Sequence, residues 1–226
     1  VEFFDYNCGY CKAANEWVLR QACLQAKAWQ EQGLPPVRMA VNLSARQFKA
    51  PLFPLRVLEI LDETGLEPQY LELEVTESIL VDGMEAVSSD LHDFKHAGII
   101  IALDDFGTGY SSLSYLKRFP IDKIKIDQSF VRDILFDASD ASLVRAIIAM
   151  ARALNLKVIA EGVESQGQFD LLREDGCDEV QGYHVAAPLS AEQAASLILQ
   201  YHAEAELSAA SAARGSASST RGDFPG

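Results

Sequence analysis

Apolar positions along this chain switch between two periods. The stretches VRMAVNLS, YLELEVTES, IIIALDDFG, KIKIDQS, KVIAEGVES and DEVQGYHV alternate apolar with polar residues or run continuously apolar. Both patterns, with their β-branched residues, predict strands. Between and after them lie FPLRVLEILDETG, MEAVSSDLHDFKHAG, SSLSYLKRF, SLVRAIIAMARALN, QGQFDLLREDG and SAEQAASLILQYHAEA, which carry the helical period. An earlier helix is expected over about residues 12–32. There Val18, Ala22, Ala26 and Trp29 recur at helical spacing before Gly33, Pro35 and Pro36 stop it. Strict strand–helix alternation means a parallel sheet with crossover helices. The expectation is therefore an α/β fold, a (β/α)8 TIM-type barrel with six clear βα units, incomplete at its N-terminus. VEFFDY is placed to add one extra strand. From 206 to 226 the chain is rich in Ala, Ser and Gly with no apolar face, and a disordered tail is expected.

Side chains alternate across a strand, so the polar positions fall on one face. Leu71, Leu73 and Val75 share a face, with Glu72, Glu74 and Thr76 opposite. Ile124 and Ile126 oppose Lys123, Lys125 and Asp127. Carried along the chain, this sends Asn42, Glu74, Asp104, Lys125, Glu161 and Gln181 inward, each near the C-terminal end of its strand. Barrel enzymes of about 250 residues place their sites at that end. A single acid there is more often a helix cap or a surface group. Converging carboxylates are costly unless paired or metal-bound.

Composition narrows the chemistry. The chain has 226 residues and a formal net charge of −14. That argues against DNA, RNA or an anionic membrane as partner, and no apolar run reaches the length of a membrane span. The candidate ligands are hard oxygens without His or Cys, which favours Mg²⁺, Mn²⁺ or Ca²⁺ over zinc. The adjacent Asp104 and Asp105 suit two ions a few ångströms apart, the arrangement used in phosphodiester hydrolysis. Lys125 either orients water and neutralises charge beside such ions or is an ion-pair partner of Asp104 or Glu161. In DDFGTGYSSLSYL, Gly107 and Gly109 suggest a loop that moves with ligand; an ordinary βα turn is the alternative. His92 and His96 lie four apart on a charged helix without a third ligand.

From about Glu16 to Tyr201 the chain resembles the EAL domain, the bacterial phosphodiesterase family that cleaves cyclic di-GMP. EWVLRQAC, VNLSARQF, LELEVTES, ALDDFGTGYSSLSYLKRFPIDKIKID, IAEGVES and DEVQGY carry the likeness. The resemblance implies metal-dependent hydrolysis of cyclic di-GMP to a linear dinucleotide in the bacterial cytoplasm, with Mg²⁺ or Mn²⁺ in a two-metal site and homodimerisation. It implies Asn42, Glu74, Asp104, Asp105 and Glu161 as metal ligands. Lys125, Glu164 and Asp127 become catalytic, Glu77 anchors the DDFGTGY loop, and Gln181 belongs to the substrate site. QGYHVAAPL departs from the family pattern at Val185 to Ala187. The Glu-Ala-Leu segment that names the family, with its metal-binding glutamate, its arginine and the first two strands, is not present in this sequence. Impaired or lost turnover is expected on that ground.

The first line reads differently. In VEFFDYNCGYCKAA a strand runs into Cys8-Gly-Tyr-Cys11 and a helix, the order of a thiol–disulfide motif. It resembles the active-site strand of DsbA-like thioredoxin-fold proteins. The expected organisation is a DsbA-like segment over 1–14, an EAL barrel over 15–205 and the tail over 206–226. Two other functions stand beside hydrolysis: an inactive EAL remnant that binds nucleotide or protein, and a redox protein using Cys8 and Cys11. Cys23 and Cys177 are read as packed thiols.

Overall fold

The computed structural model describes residues 2–3, 11–48, 50, 52–82, 84–109, 116 and 118–218. Seven parallel strands follow one another in sequence order: β1 (Glu2–Phe3), β2 (Met39–Leu43), β3 (Leu71–Thr76), β4 (Ile100–Phe106), β5 (Lys123–Ile126), β6 (Lys157–Ala160) and β7 (Glu179–Val180). Each pairs only with its sequence neighbours, and the sheet curls into a half-barrel. The extra strand foreseen in VEFFDY is β1, with Glu2 opposite Ala40 and Phe3 opposite Val41.

The helices cover the apolar face. They are α1 (Cys11–Glu31), α2 (Ala45–Phe48), α3 (Phe53–Thr64), α4 (Glu77–Asp82), α5 (Met84–Ala97), α6 (Gln128–Arg132), α7 (Ala138–Ala153), α8 (Gln166–Asp175) and α9 (Ala191–Ser218). Leu71, Leu73, Val75, Ile101, Leu103, Ile124, Ile126 and Val158 are buried between sheet and helices. The helices answer with Leu19, Ala22, Cys23, Ala26 and Trp29 of α1, Val57, Ile60 and Leu61 of α3, and Val144, Ile147 and Ile148 of α7. Their spacing of three and four is the helical period in the text. Gly65 closes α3 at φ 68°, donating to the Leu61 and Asp62 carbonyls. Asp127, Asp137 and Ser165 cap α6, α7 and α8 through their side chains.

The structure corrects several expectations. Helix α1 runs unbroken across residues 14 and 15, where the expected organisation has its first division. The tail expected to be disordered is helical as far as Ser218. Its alanines need no apolar face to propagate a helix already begun. Residues 219–226 lie outside the described residues. DEVQGYHV yields only the two-residue β7, because the chain turns at Gly182, where Val185 N–H donates to the Gly182 carbonyl. Three short helices, α2, α4 and α6, went unpredicted; each follows a strand on the side where the site lies. Cys8 and residues 110–115 and 117, most of SSLSYLKRF, lie outside the described residues. Cys11 opens α1.

Candidate active site

The site is built by a break in the β4–β5 pairing. Leu103 pairs with Ile124 and Phe106 with Ile126, so Asp104 and Asp105 together face the single residue Lys125. This is a β-bulge, a device that re-aims side chains next to functional sites. Asp105 takes up the distortion at φ 55°, a left-handed conformation that Asp tolerates better than most residues. Asp104 stays buried and turns back to accept a 3.0 Å hydrogen bond at Oδ1 from the Asp105 N–H.

Lys125 is the hub. Its side chain is fully buried, and its Nζ lies 2.8 Å from Glu74 Oε2, 3.2 Å from Asp104 Oδ1 and 2.7 Å from Glu161 Oε1. Carboxylates from β3, β4 and the end of β6 therefore converge on one ammonium, with a surplus of two negative charges. Burial works against the lysine charge, but Glu74, Glu161 and Asp104 outweigh it and hold Lys125 above the ordinary lysine range. It stays protonated at neutral pH, so it donates hydrogen bonds and stabilises negative charge and cannot serve as a base. Beside it, burial raises the Asp105 carboxyl, and repulsion from Asp104 and Asp127 adds to this against the pull of Lys125.

The other expected residues lie around this hub. Asn42 stands opposite Glu74 across the β2–β3 ladder. Asn42, Glu74, Glu161, Glu164 and Gln181 all line a cavity of about 890 Å³ on the concave face of the sheet. Gln181 is tied by its backbone, donating to the Ala160 carbonyl and accepting from Val163 N–H. At Gly182 a Cβ would sit 2.3 Å from the Val163 oxygen, so only glycine permits this approach. Glu164 is exposed at the rim, where its N–H and that of Ser165 donate to Gln168 Oε1. Gln168 in turn donates to the Val131 and Arg132 carbonyls, joining the rim to α6. Asp127 is not gathered onto Lys125; its carboxylate caps α6 by accepting from Ser129 N–H at 2.9 Å. Glu77 is buried at the start of α4 with its carboxylate against Gly109. Neither of its oxygens finds a hydrogen-bond partner among the described residues, and residues 110–115 of the DDFGTGYSSLSYL stretch lie outside them.

Sequence reasoning placed Glu72 and Lys123 on the inward face but not in the site. Both are buried two residues below Glu74 and Lys125, and Lys123 bridges Glu72 at 2.8 Å and Glu179 at 2.9 Å. It also passed over Gln128, which lines the cavity. A Cβ at Gly162 would fall 2.6 Å from Gln128 Cβ; that contact has no signature in the sequence. His92 and His96 are exposed, each donating from Nδ1 to a carbonyl one turn back on α5. Cys23 and Cys177 are free thiols. Burial pushes Cys23 up to about 12 and Cys177 up to about 11, as for packed, unreactive thiols.

The donor set fits a divalent cation in its chemistry: hard oxygens with surplus negative charge. The carboxylates close on the lysine, however. Among the described residues no group of three or more His, Cys, Asp or Glu side chains is arranged to hold a metal by itself. No helix among them is long and apolar enough to cross a membrane.

Known proteins share this fold. The EAL domain family matches residues 6–188, a span that takes in Cys8 and Cys11. Cyclic di-GMP phosphodiesterase PdeR of Escherichia coli is 43% identical over 193 residues, covering 84% of this chain and 29% of PdeR. The chain spans about a quarter of the length of the curated relatives it matches. The solved structure of the PaMucR phosphodiesterase in complex with c-di-GMP superposes with a TM-score of 0.79 at 43% identity, covering 82% of this chain and 75% of that one. The manganese and cy-diGMP complex of Klebsiella pneumoniae BlrP1 gives a TM-score of 0.68 at 30% identity, covering 76% of this chain and 43% of that one.

Proposed function

The chain belongs to the EAL domain family, and from that premise we propose that it hydrolyses one phosphodiester of cyclic di-GMP to a linear dinucleotide. One observation carries the reading. Three carboxylates and a protonated, buried lysine meet at the C-terminal ends of parallel strands, beside a cavity of about 890 Å³. That volume lies within the usual range for small-ligand sites. Asn42, Glu74, Asp104 and Glu161 would hold a first Mg²⁺ or Mn²⁺, and Asp105 a second. When bound, such ions supply an activated water and charge neutralisation at the phosphate.

The remaining work falls to the chain's own residues. Lys125, always charged, donates to the attacking water or to the phosphoryl oxygen as negative charge develops. Gln181, fixed by backbone hydrogen bonds, and Glu164 at the rim orient the nucleotide. Glu77, pressed on Gly109, sets the position of the loop that leaves β4 just after Asp105. Asp127 keeps α6 capped at the edge of the site. Water adds to one phosphorus and one ester P–O bond breaks; the departing oxygen receives a proton. Homodimerisation and a cytoplasmic location belong to the same reading.

The test is turnover by the purified chain in Mg²⁺, in Mn²⁺ and in EDTA, with the product read by chromatography. Metal-dependent linear product is the expected result, and no product from a folded sample would count against it. A second reading is favoured by the closure of Glu74, Asp104 and Glu161 on Lys125. On it the chain binds nucleotide without turning it over, and the signature would be EDTA-insensitive binding with no product.

A further inference from the structure

Below the Lys125 layer lies a second set of charges that the proposed chemistry leaves unused. Glu72 of β3, Lys123 of β5 and Glu179 of β7 come from alternate strands, as side-chain layers do in barrels of this kind. Lys123 and Glu72 are almost wholly buried, with side-chain exposures of 5% and 4%. Between β3 and β5 runs β4, and its inward residue at this level is the fully buried Ala102, paired with both Glu74 and Lys123. Alanine leaves the gap through which Glu72 and Lys123 meet at 2.8 Å. Buried ion pairs stabilise little compared with apolar residues of the same volume; their best-attested use is to fix register. Each member also lies two residues before a member of the site: Glu72 before Glu74, Lys123 before Lys125, Glu179 before Gln181.

We propose that the Glu72–Lys123–Glu179 triad is a positioning layer, which locks β3, β5 and β7 in the register that brings Glu74 and Lys125 together and so sets the affinity of the site for a divalent cation. The inference rests on the phosphodiesterase reading. β4 cannot do this alone, because its pairing with β5 is broken by the bulge at Asp104 and Asp105. The triad bridges that irregular ladder from below.

The experiment compares Mn²⁺ affinity, measured by calorimetry with the metal alone, in the full chain and in the Glu72→Met/Lys123→Met double variant. That variant keeps the volume and leaves no buried charge unpaired. The expected result is a Tm at or above that of the parent with Mn²⁺ affinity weakened about 10-fold, the usual scale for residues supporting a metal site from behind. kcat should fall by a similar factor while KM holds. Lys123→Arg, which preserves the pair, should restore most of both. Should the double variant not fold, Glu179→Gln, at the exposed end of the triad, is expected to weaken Mn²⁺ about 2-fold. Parental Mn²⁺ affinity in a folded variant would overturn the inference and leave the phosphodiesterase reading standing. A parent chain that neither binds Mn²⁺ nor hydrolyses cyclic di-GMP would remove that reading, and this inference with it.

Discussion

Two places in this protein set one cation among three carboxylates. On the surface, Arg56 meets Glu16 at 3.1 Å, Glu59 at 2.8 Å and Glu63 at 3.5 Å, with Arg20 also on Glu63. In the half-barrel, Lys125 meets Glu74, Asp104 and Glu161 at similar distances. Arg20 leaves the surface cluster one carboxylate in surplus where the Lys125 cluster has two, and the setting separates them further. Around Arg56 water and salt screen every charge, so the cluster ties α1 to α3 weakly and its surplus carboxylate costs little. Around Lys125 burial weakens solvent screening, and the excess negative charge there is a field suited to a cation. Burial, rather than the identity of the residues, makes one cluster a fastening and the other a candidate active site.

The sharpest way to break the comparison is to remove each cation. Lys125→Met leaves three carboxylates in a buried site, and its cost in EDTA is expected to be about 3–5 kcal/mol by denaturant titration. The loss should shrink in acid, as the stranded carboxylates protonate. A smaller loss, more than about 1 kcal/mol, is expected for Gly182→Ala. Its Cβ would collide with the Val163 backbone and pull Gln181 from the Glu161 end of the site. Asp105→Asn should instead raise the Tm slightly at neutral pH without metal. The folded state holds Asp105 above its ordinary value of 3.8, so ionising it opposes folding; the gain should vanish below that value, where the acid is neutral in both states. The smallest effect belongs to Arg56→Ala, a Tm decrease near the limit of measurement that disappears in high salt. A large, salt-resistant loss there would mean the two clusters are alike after all.

Much of this was legible in the sequence, for a reason visible in the strands. A period of two fixes which face a side chain takes, so Asn42, Glu74, Lys125, Glu161 and Gln181 could be assigned inward from the text alone. The bulge could not be. Strict alternation puts Asp104 and Asp105 on opposite faces, and only the Leu103–Ile124 and Phe106–Ile126 pairs reveal two residues set against one. Helices α2, α4 and α6, of four to six residues, are too short to display a helical period. The helical tail was missed because absence of an apolar face was read as absence of structure, whereas alanine propagates a helix without one. Lys123 was placed on the right face, but contact with Glu72 depends on Ala102 being small on a third strand, a relation no local window contains.

The account stands most directly on Asp104, the carboxylate that the bulge brings back onto Lys125. The measurement is cyclic di-GMP conversion by the parent chain and by Asp104→Asn, side by side in Mn²⁺, with bound nucleotide measured in both. The expected result is linear dinucleotide from the parent and a loss of at least about 10²-fold in the variant, with nucleotide still bound. Equal rates in the two proteins, or product that persists in EDTA, would contradict the assignment of the Lys125 cluster as the site of the reaction.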